Sequence, residues 1–382
     1  MFPRRIEVCG ISEVCVRTST SGVGVINLGD AVVGSATGVT LTDDVTLTTA
    51  GGTLNINGAV NGTAANMQSL TLDAGSTGTV SVTAAIGSTT PLKTLTLTNS
   101  TWAAAGSNSD AVTVNTTSTG STFNAGTVSV SALESMTINA SHTVSTDAPS
   151  STHTIAVTDT SATDVLAKLV LTGNASVSLS ASGADALRTI DGSALTGSLN
   201  VTAASTLSAT ITGGAGDDVL TAHAGTSTLA DTLIGGAGSD TLTSNAGLTT
   251  LTGGAGADIF VVQNAGASKN IFTTITDFSV GDSIKLADKG NETFSGTKVA
   301  LATGVAETLA NYANAAAAGD GSTNGIIKWF QFDGNTYVVQ DVSFSSSFVD
   351  GADILVKLTG LIDLSNSALS INSSTPSLTL FA

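Results

Sequence analysis

Residues 213–221 read GGAGDDVLT, and close variants follow at 235–243 (GGAGSDTLT) and 253–261 (GGAGADIFV). Three kinds of structure write glycine this densely: a flexible linker, a phosphate-cradling loop, or a row of metal-binding turns. A phosphate loop needs Lys and Ser/Thr after its last glycine, and this stretch has neither. A dinucleotide fingerprint opens a helix, whereas Gly216 runs into Asp217, Asp218 and then Val-Leu-Thr. A linker has no reason to keep a frame, yet this stretch keeps one of nine residues. Between the full units lie a degenerate one, AHAG (222–225) with a four-residue insertion before ADTLI (230–234), and SNAGLTTLT (244–252). Gly225 and Gly247 hold the fourth-position glycine. Leu220, Leu233, Leu242, Leu251 and Phe260 hold the apolar eighth position.

The frame predicts a coil of two nonamers, each a glycine-rich turn followed by a short strand. Alternate nonamers fall on opposite sides, so the three GGAGxD turns stack on one side. Parallel strands are about 4.8 Å apart, which places Asp218, Asp240 and Asp258 in a column. Two carboxylates about 5 Å apart repel by roughly 3 kcal/mol at an effective dielectric near 20. A cation between them reverses that sign. Calcium fits, because it takes six to eight oxygens from carboxylates and backbone carbonyls, and glycine lets a turn aim its carbonyls inward. Three stacked turns leave two gaps, so about two calcium ions are expected.

These nonamers resemble the RTX β-roll repeat, G-G-x-G-x-D-x-U-x, whose turns bind calcium. The resemblance implies metal-binding roles for Gly213, Gly214, Gly216 and Asp218, for Gly235, Gly236, Gly238 and Asp240, and for Gly253, Gly254, Gly256 and Asp258. The opposite side departs from the pattern: Thr249 stands where the aspartate belongs, and the AHAG unit offers only Asp231 beyond its insertion. Weak calcium binding, or none, is expected there. TTITDFSVGDSIKL (273–286) resembles the segment that closes RTX rolls in type I secreted proteins, with Asp277 and Asp282 as candidate caps of the last turn. DLSNSALSI…PSLTLFA, at the end, resembles in composition the uncleaved C-terminal signals of such proteins. TIDGSALTGSLNV (189–201), leading into ITGGAGDD, is similar to the approach to the repeats in proteobacterial surface-layer proteins of the RTX class.

The rest of the 382-residue chain is compatible with this reading. Only 11% of residues are charged and 4% are aromatic, with 42 Gly and 4 Pro, while mean hydropathy is +0.33. That balance opposes simple disorder and suits an all-β protein of Thr/Val strands and Gly/Asn/Asp turns. From about 22 to 211 the chain is a series of alternating runs such as TLNIN (53–57), TVSVT (79–83) and TLTLT (94–98). TLNINGAVNGTAANMQSLTL (53–72) lies over TVSVTAAIGSTTPLKTLTL (79–97), with Leu54 over Val80, Ile56 over Val82 and Val60 over Ile86. The offset is 26, dropping to 25 at the end, and such periods point to a solenoid. A right-handed parallel β-solenoid over 22–205 is therefore expected, then the RTX roll over 206–262 and a mixed β/α capping and secretion-signal region over 263–382. In that last region a helix is predicted over 305–319, with Val305, Leu309, Tyr312 and Ala316 as its apolar stripe. A hairpin follows around Asp333-Gly334-Asn335, and then a strand over 352–358.

Function classes narrow accordingly. A net charge of −17 with 12 basic residues lacks the clustered Lys and Arg of a nucleic-acid surface. No run of 18 apolar residues predicts a membrane span. Segment 1–21 holds both cysteines, Cys9 and Cys15, either a local disulfide or two plain thiols. Its composition departs from that of the other 361 residues and lacks the apolar run of a signal peptide, so it reads as a truncated or misassigned start. His142, His153 and His223 read as solvated side chains. Neither HExxH nor G-x-S-x-G occurs, and the expectation is a non-enzyme. The combination implies a secreted calcium-binding structural protein of the extracellular cell surface. Its expected partners are calcium, further copies in an oligomer or lattice, a cell-surface polysaccharide anchor and the type I secretion machinery. The C-terminal part of a type I secreted adhesin, or the carrier end of a secreted hydrolase, are the alternatives.

Overall fold

Thr and Val in alternation give a strand one apolar face, and a strand with one apolar face must bury it against another layer. In this chain the layers are built by coiling. The computed structural model describes residues 25–28, 39–48, 52–56, 60–64, 67–73, 79–82, 94–98, 111–118, 122–131, 135–142, 150–159, 166–181, 183–204, 207–223, 229–245, 248–262, 268–288, 290, 292–318, 325–343, 345–372 and 375–381. Segment 1–21 with its two cysteines, Ile86, Gly225, Gly247 and Gly319 lie outside them. The chain divides into two compact units, Met1–Leu207 and Ser208–Ala382.

In the first unit, successive strands alternate between two parallel sheets, so each coil contributes one rung to each. Val45–Thr48, Ser69–Asp73, Thr94–Thr98, Thr122–Ser131, Thr152–Asp159, Ser176–Ser180 and Leu199–Thr202 follow one another in one sheet. Ala111–Ser118, Ser135–His142, Lys168–Gly173 and Thr189–Leu195 form the other. Val25–Leu28, Thr53–Ile56 and Thr79–Val82 form a third parallel stack. The ladder registers reproduce the repeat seen in the sequence. Leu54 pairs with Val80 and Ile56 with Val82, an offset of 26, while Leu70 pairs with Leu95 and Leu72 with Leu97, an offset of 25. In-register stacking places apolar residues on apolar residues, as in Ile138 beside Leu171. Met136, Ile138, Leu169, Leu171, Ile155, Val157, Val177 and Leu199 are all fully buried or nearly so. Each such aliphatic side chain contributes roughly 1.5–3 kcal/mol, so a single Leu171→Asp exchange would open this core.

The sandwich also holds two of the three histidines, which corrects the expectation of solvated side chains. His142 is 6% exposed and His153 is 0% exposed. His142 shares the phase of Met136, Ile138 and Ala140, and His153 that of Ile155 and Val157. Strand pleat, not side-chain polarity, decides which way a residue points.

The second unit repeats the two-sheet coil and then closes it. Val219–Thr221, Thr241–Thr243, Ile259–Val261 and Ser283–Lys285 stack in parallel. Thr375–Thr379 then pairs antiparallel with Ser283–Lys285, and Ala368–Asn372 with Thr375–Thr379. Opposite lie Thr210–Thr212, Thr232–Ala237, Thr250–Ala255 and Thr273–Ile275. Ile354–Leu358, Asn335–Gln340, Ile326–Phe332 and Thr293–Phe294 extend that sheet. Ile211, Leu233, Leu251 and Ile275 form one interior column, and Leu220, Leu242, Phe260 and Ile284 the other, all 0% exposed.

The cap has its own core. Tyr312, Phe330 and Tyr337 stack in series, with centroids 5.2 Å apart at each step. The hairpin turns on Asp333 (φ 46°) and Gly334 (φ 73°), the left-handed pair that two-residue hairpins need. The helix is shorter than predicted. It spans Leu309–Ala317 because the Thr308 side chain accepts a hydrogen bond from the Asn311 N–H and caps it there. Val305 precedes the cap and stays 43% exposed, while Ala313, Ala316 and Ala317 are buried. Among the described residues the chain is thus nearly all-β, a parallel β-solenoid with one short helix.

Candidate metal centre

Each coil of the second unit brings a glycine turn back to the same side. Asp218, Asp240 and Asp258 are 0–1% exposed and stand in one column. The column is stitched by backbone: Asp240 Oδ1 accepts the Asp218 N–H at 2.8 Å, and Asp258 Oδ1 accepts the Asp240 N–H at 2.9 Å. The stitching continues one rung beyond the nonamers, where Asp282 Oδ1 accepts the Asp258 N–H at 2.9 Å. Four carboxylates, not three, make the column. The fourth keeps part of the pattern: Asp282-Ser-Ile-Lys repeats Asp followed by x-U-x, but its glycine, Gly281, directly precedes the acid, and the register is stretched by the segment after Val262.

The glycines fit this column in two ways. Gly213, Gly235 and Gly253 leave room for the carboxylate of their own turn, since a Cβ there would collide with Oδ2 of Asp218, Asp240 and Asp258 respectively. Gly236 and Gly254 have φ of 120° and 103°. A Cβ on either would collide with the carbonyl oxygen of Gly214 or Gly236, in the turn before it. The stacked turns therefore present backbone carbonyls and carboxylates to each other with no side chain between them.

The second oxygens separate the rungs. Asp218 Oδ2 accepts the Gly214 N–H at 2.6 Å, and Asp282 Oδ2 accepts from the Ser279 N–H and hydroxyl at 2.7 and 3.1 Å. Asp240 Oδ2 and Asp258 Oδ2 are buried and have no hydrogen-bond partner among the described residues. Burial, with the charges of Asp218, Asp258 and Asp217 added, pushes the Asp240 carboxyl up to about 7. Burial with the charges of Asp282 and Asp277 also raises that of Asp258. An orphaned buried carboxylate oxygen is costly, and a hard cation held with backbone carbonyls offsets that cost. Among the described residues no three Asp, Glu, His or Cys side chains converge on one point. The column offers its acids in pairs, and an ion there needs carbonyl oxygens to complete its shell. The donor set fits calcium.

Asp277 caps the stack, with Oδ1 accepting the Gly253 N–H at 3.0 Å and Oδ2 the Gly254 N–H at 2.8 Å. Asp231 lies in the opposite column. Its Oδ1 accepts the Ala209 N–H at 2.8 Å, and its Oδ2 accepts the His223 N–H at 3.0 Å and the Asn245 amide at 3.2 Å. The nonamer frame put Asp231 among the candidate metal residues on a side expected to bind calcium weakly or not at all, and these donors were not visible in that frame. On the same side the Thr249 hydroxyl donates to Asn245 Oδ1 at 2.6 Å, so this turn closes with its own side chains.

Two sheets of short parallel rungs, joined on one side by acid-bearing glycine turns, define a calcium-binding β-roll. The family of the RTX calcium-binding nonapeptide repeat matches residues 210–229 and 226–260, in four copies. The chain thus carries RTX-type calcium-binding repeats within 210–260. No curated protein matches it. Among the described residues no helix is long and apolar enough to cross a membrane.

Proposed function

We propose that the chain is a secreted structural protein of the cell surface whose roll orders on binding calcium and whose copies assemble into a surface layer. The observation that carries the calcium step is the pair of buried, unpartnered oxygens, Asp240 Oδ2 and Asp258 Oδ2, on stacked glycine turns. Two ions fit this arrangement. Gly213, Gly214, Gly216, Gly235, Gly236, Gly238, Gly253, Gly254 and Gly256 supply the turns, and Asp218, Asp240 and Asp258 the charge. Asp277 and Asp282 close the column, and Asp231 holds the opposite turns. RTX-repeat proteins are typically secreted by type I systems. Low calcium inside the cell keeps such a column repulsive and the chain exportable, and calcium outside folds it. The resemblance of 189–201 to surface-layer proteins and the small-residue C-terminal end support the assembly reading, with a non-catalytic role.

Circular dichroism in EDTA and in millimolar calcium tests the first step, with ordering of 206–286 on calcium as the expected result. Identical spectra in both conditions would refute it. Electron microscopy after calcium addition tests the second step. A lattice or filament supports the surface layer, and a calcium-loaded monomer that binds cells or glycans points to an adhesin instead. Turnover of a generic ester or peptide substrate would overturn the non-catalytic role.

A further inference from the structure

The first unit carries a titratable device independent of calcium. The strand Ser135–His142 ends, and Thr152–Asp159 begins, with an inward-facing histidine. Both imidazoles are buried, at the end of one strand and the start of the next. The backbone of His142 is clamped, its N–H donating to Asn174 Oδ1 at 2.7 Å and its carbonyl accepting from Asn174 Nδ2 at 2.9 Å. His153 lies in register between Phe123 and Val177, and Val177 and Ala175 are buried beside this end of the coil. The flanking strands Ala111–Ser118, Thr122–Ser131 and Ser176–Ser180 carry no ionisable residue. Asp159 sits at the far end of its strand, accepting the Leu166 N–H. Lys168, paired with Asp191, lies opposite Ser135, also at the far end. Asp147, in the connection between the two histidines, lies outside the described residues.

We propose that the His142–His153 pair is an acid-sensitive latch: protonation drives an imidazole out of the sandwich and opens the coil over 135–180, while the calcium-loaded roll stays closed. A cation inside two apolar sheets loses its hydration, and a second imidazolium beside it adds repulsion. Consistent with this, burial and the neighbouring His142 lower His153 to about 4 from 6.5. The depressed value means the unfolded chain takes up the proton first. Stability from this group is therefore full above pH 6.5 and is lost as pH falls toward 4.

The test is hydrogen exchange by mass spectrometry on the full chain in saturating calcium, from pH 7 to 4.5, corrected for the intrinsic pH dependence of exchange. Protection over 135–180 should fall on the order of fifty- to a hundredfold, while peptides from 232–262 change little. In the His142→Ala/His153→Leu variant the acid-dependent fall should vanish. An equal fall in that variant, or none in the wild type, overturns the proposal. If the variant does not fold, C2-hydrogen exchange of the wild-type imidazoles decides. A His153 that titrates near 6.5 in the folded chain overturns it, and one that resists protonation to well below pH 5.5 supports it.

Discussion

The two sides of the roll are made by the same coils, and they solve opposite problems. On one side Asp218, Asp240, Asp258 and Asp282 occupy successive rungs, and two of them keep a buried oxygen without a partner. On the other side the equivalent positions are Ala209, Asp231, Thr249 and Thr273, and the Asp231 carboxylate and Thr249 hydroxyl find protein donors and acceptors. One side stacks four carboxylates and leaves two of their oxygens unpartnered. The other meets its single carboxylate with three protein donors and, among the described residues, leaves only a ring nitrogen, His223 Nδ1, without a partner. The difference is carried by a few side chains: an aspartate at every sixth position against one in four, and glycine pairs against Ser244-Asn245.

The comparison breaks most sharply if the orphaned oxygens are replaced. Asp240→Asn with Asp258→Asn should weaken calcium binding at least a hundredfold and abolish calcium-induced ordering, read by isothermal titration calorimetry and circular dichroism. Next in size is the pH dependence of the calcium-free roll. The folded Asp240 carboxyl is raised to about 7 against an ordinary 3.8. Its stabilising proton is fully in place below pH 3.8 and is lost as pH rises through 7. In EDTA the roll should therefore be more stable at pH 4.5 than at 7.5, by an amount on the order of 3 kcal/mol. Circular dichroism in EDTA at the two pH values checks this, with more order expected at pH 4.5, and saturating calcium should remove the difference. Asp231→Ala strands three N–H donors and should cost about 3 kcal/mol while changing calcium affinity less than threefold. Calcium stoichiometry then sharpens the contrast. Ser244→Gly, Asn245→Gly and Thr249→Asp together should add one weak ion on the opposite side, whereas Thr249→Asp alone should add none, because the Asn245 amide still fills the turn. Smallest is Gly334→Ala in the cap hairpin, about 1 kcal/mol by thermal melting, with calcium binding unmoved.

Much of this was legible in the sequence. The 26-then-25 offset between 53–72 and 79–97 is the ladder register itself, because stacked parallel rungs require like residues at like heights. The nonamer frame gave the three-aspartate column for the same reason. The misses have physical causes too. Asp282 was read as a cap of the last turn; its place as a full rung, 24 residues after Asp258, is what a fixed period of nine passes over. His142 and His153 sit among Ser and Thr, and residue type suggested water. Their phase along the strand, shared with Met136–Ile138–Ala140 and Ile155–Val157, pointed to the interior. Asp231 looked like a ligand because its donors, Ala209, His223 and Asn245, come from three separate turns.

The spacing of the stitched aspartates has a further consequence. Rungs 22, 18 and 24 residues apart in sequence make the same carboxylate-to-amide bond, at 2.8–2.9 Å. Contour length is thus decoupled from rung height, and the surplus chain of each coil leaves the column undisturbed. A coil of this kind tolerates cargo. A foreign peptide spliced between rungs would ride on a scaffold whose pitch is set by the stitched aspartates and the two parallel ladders.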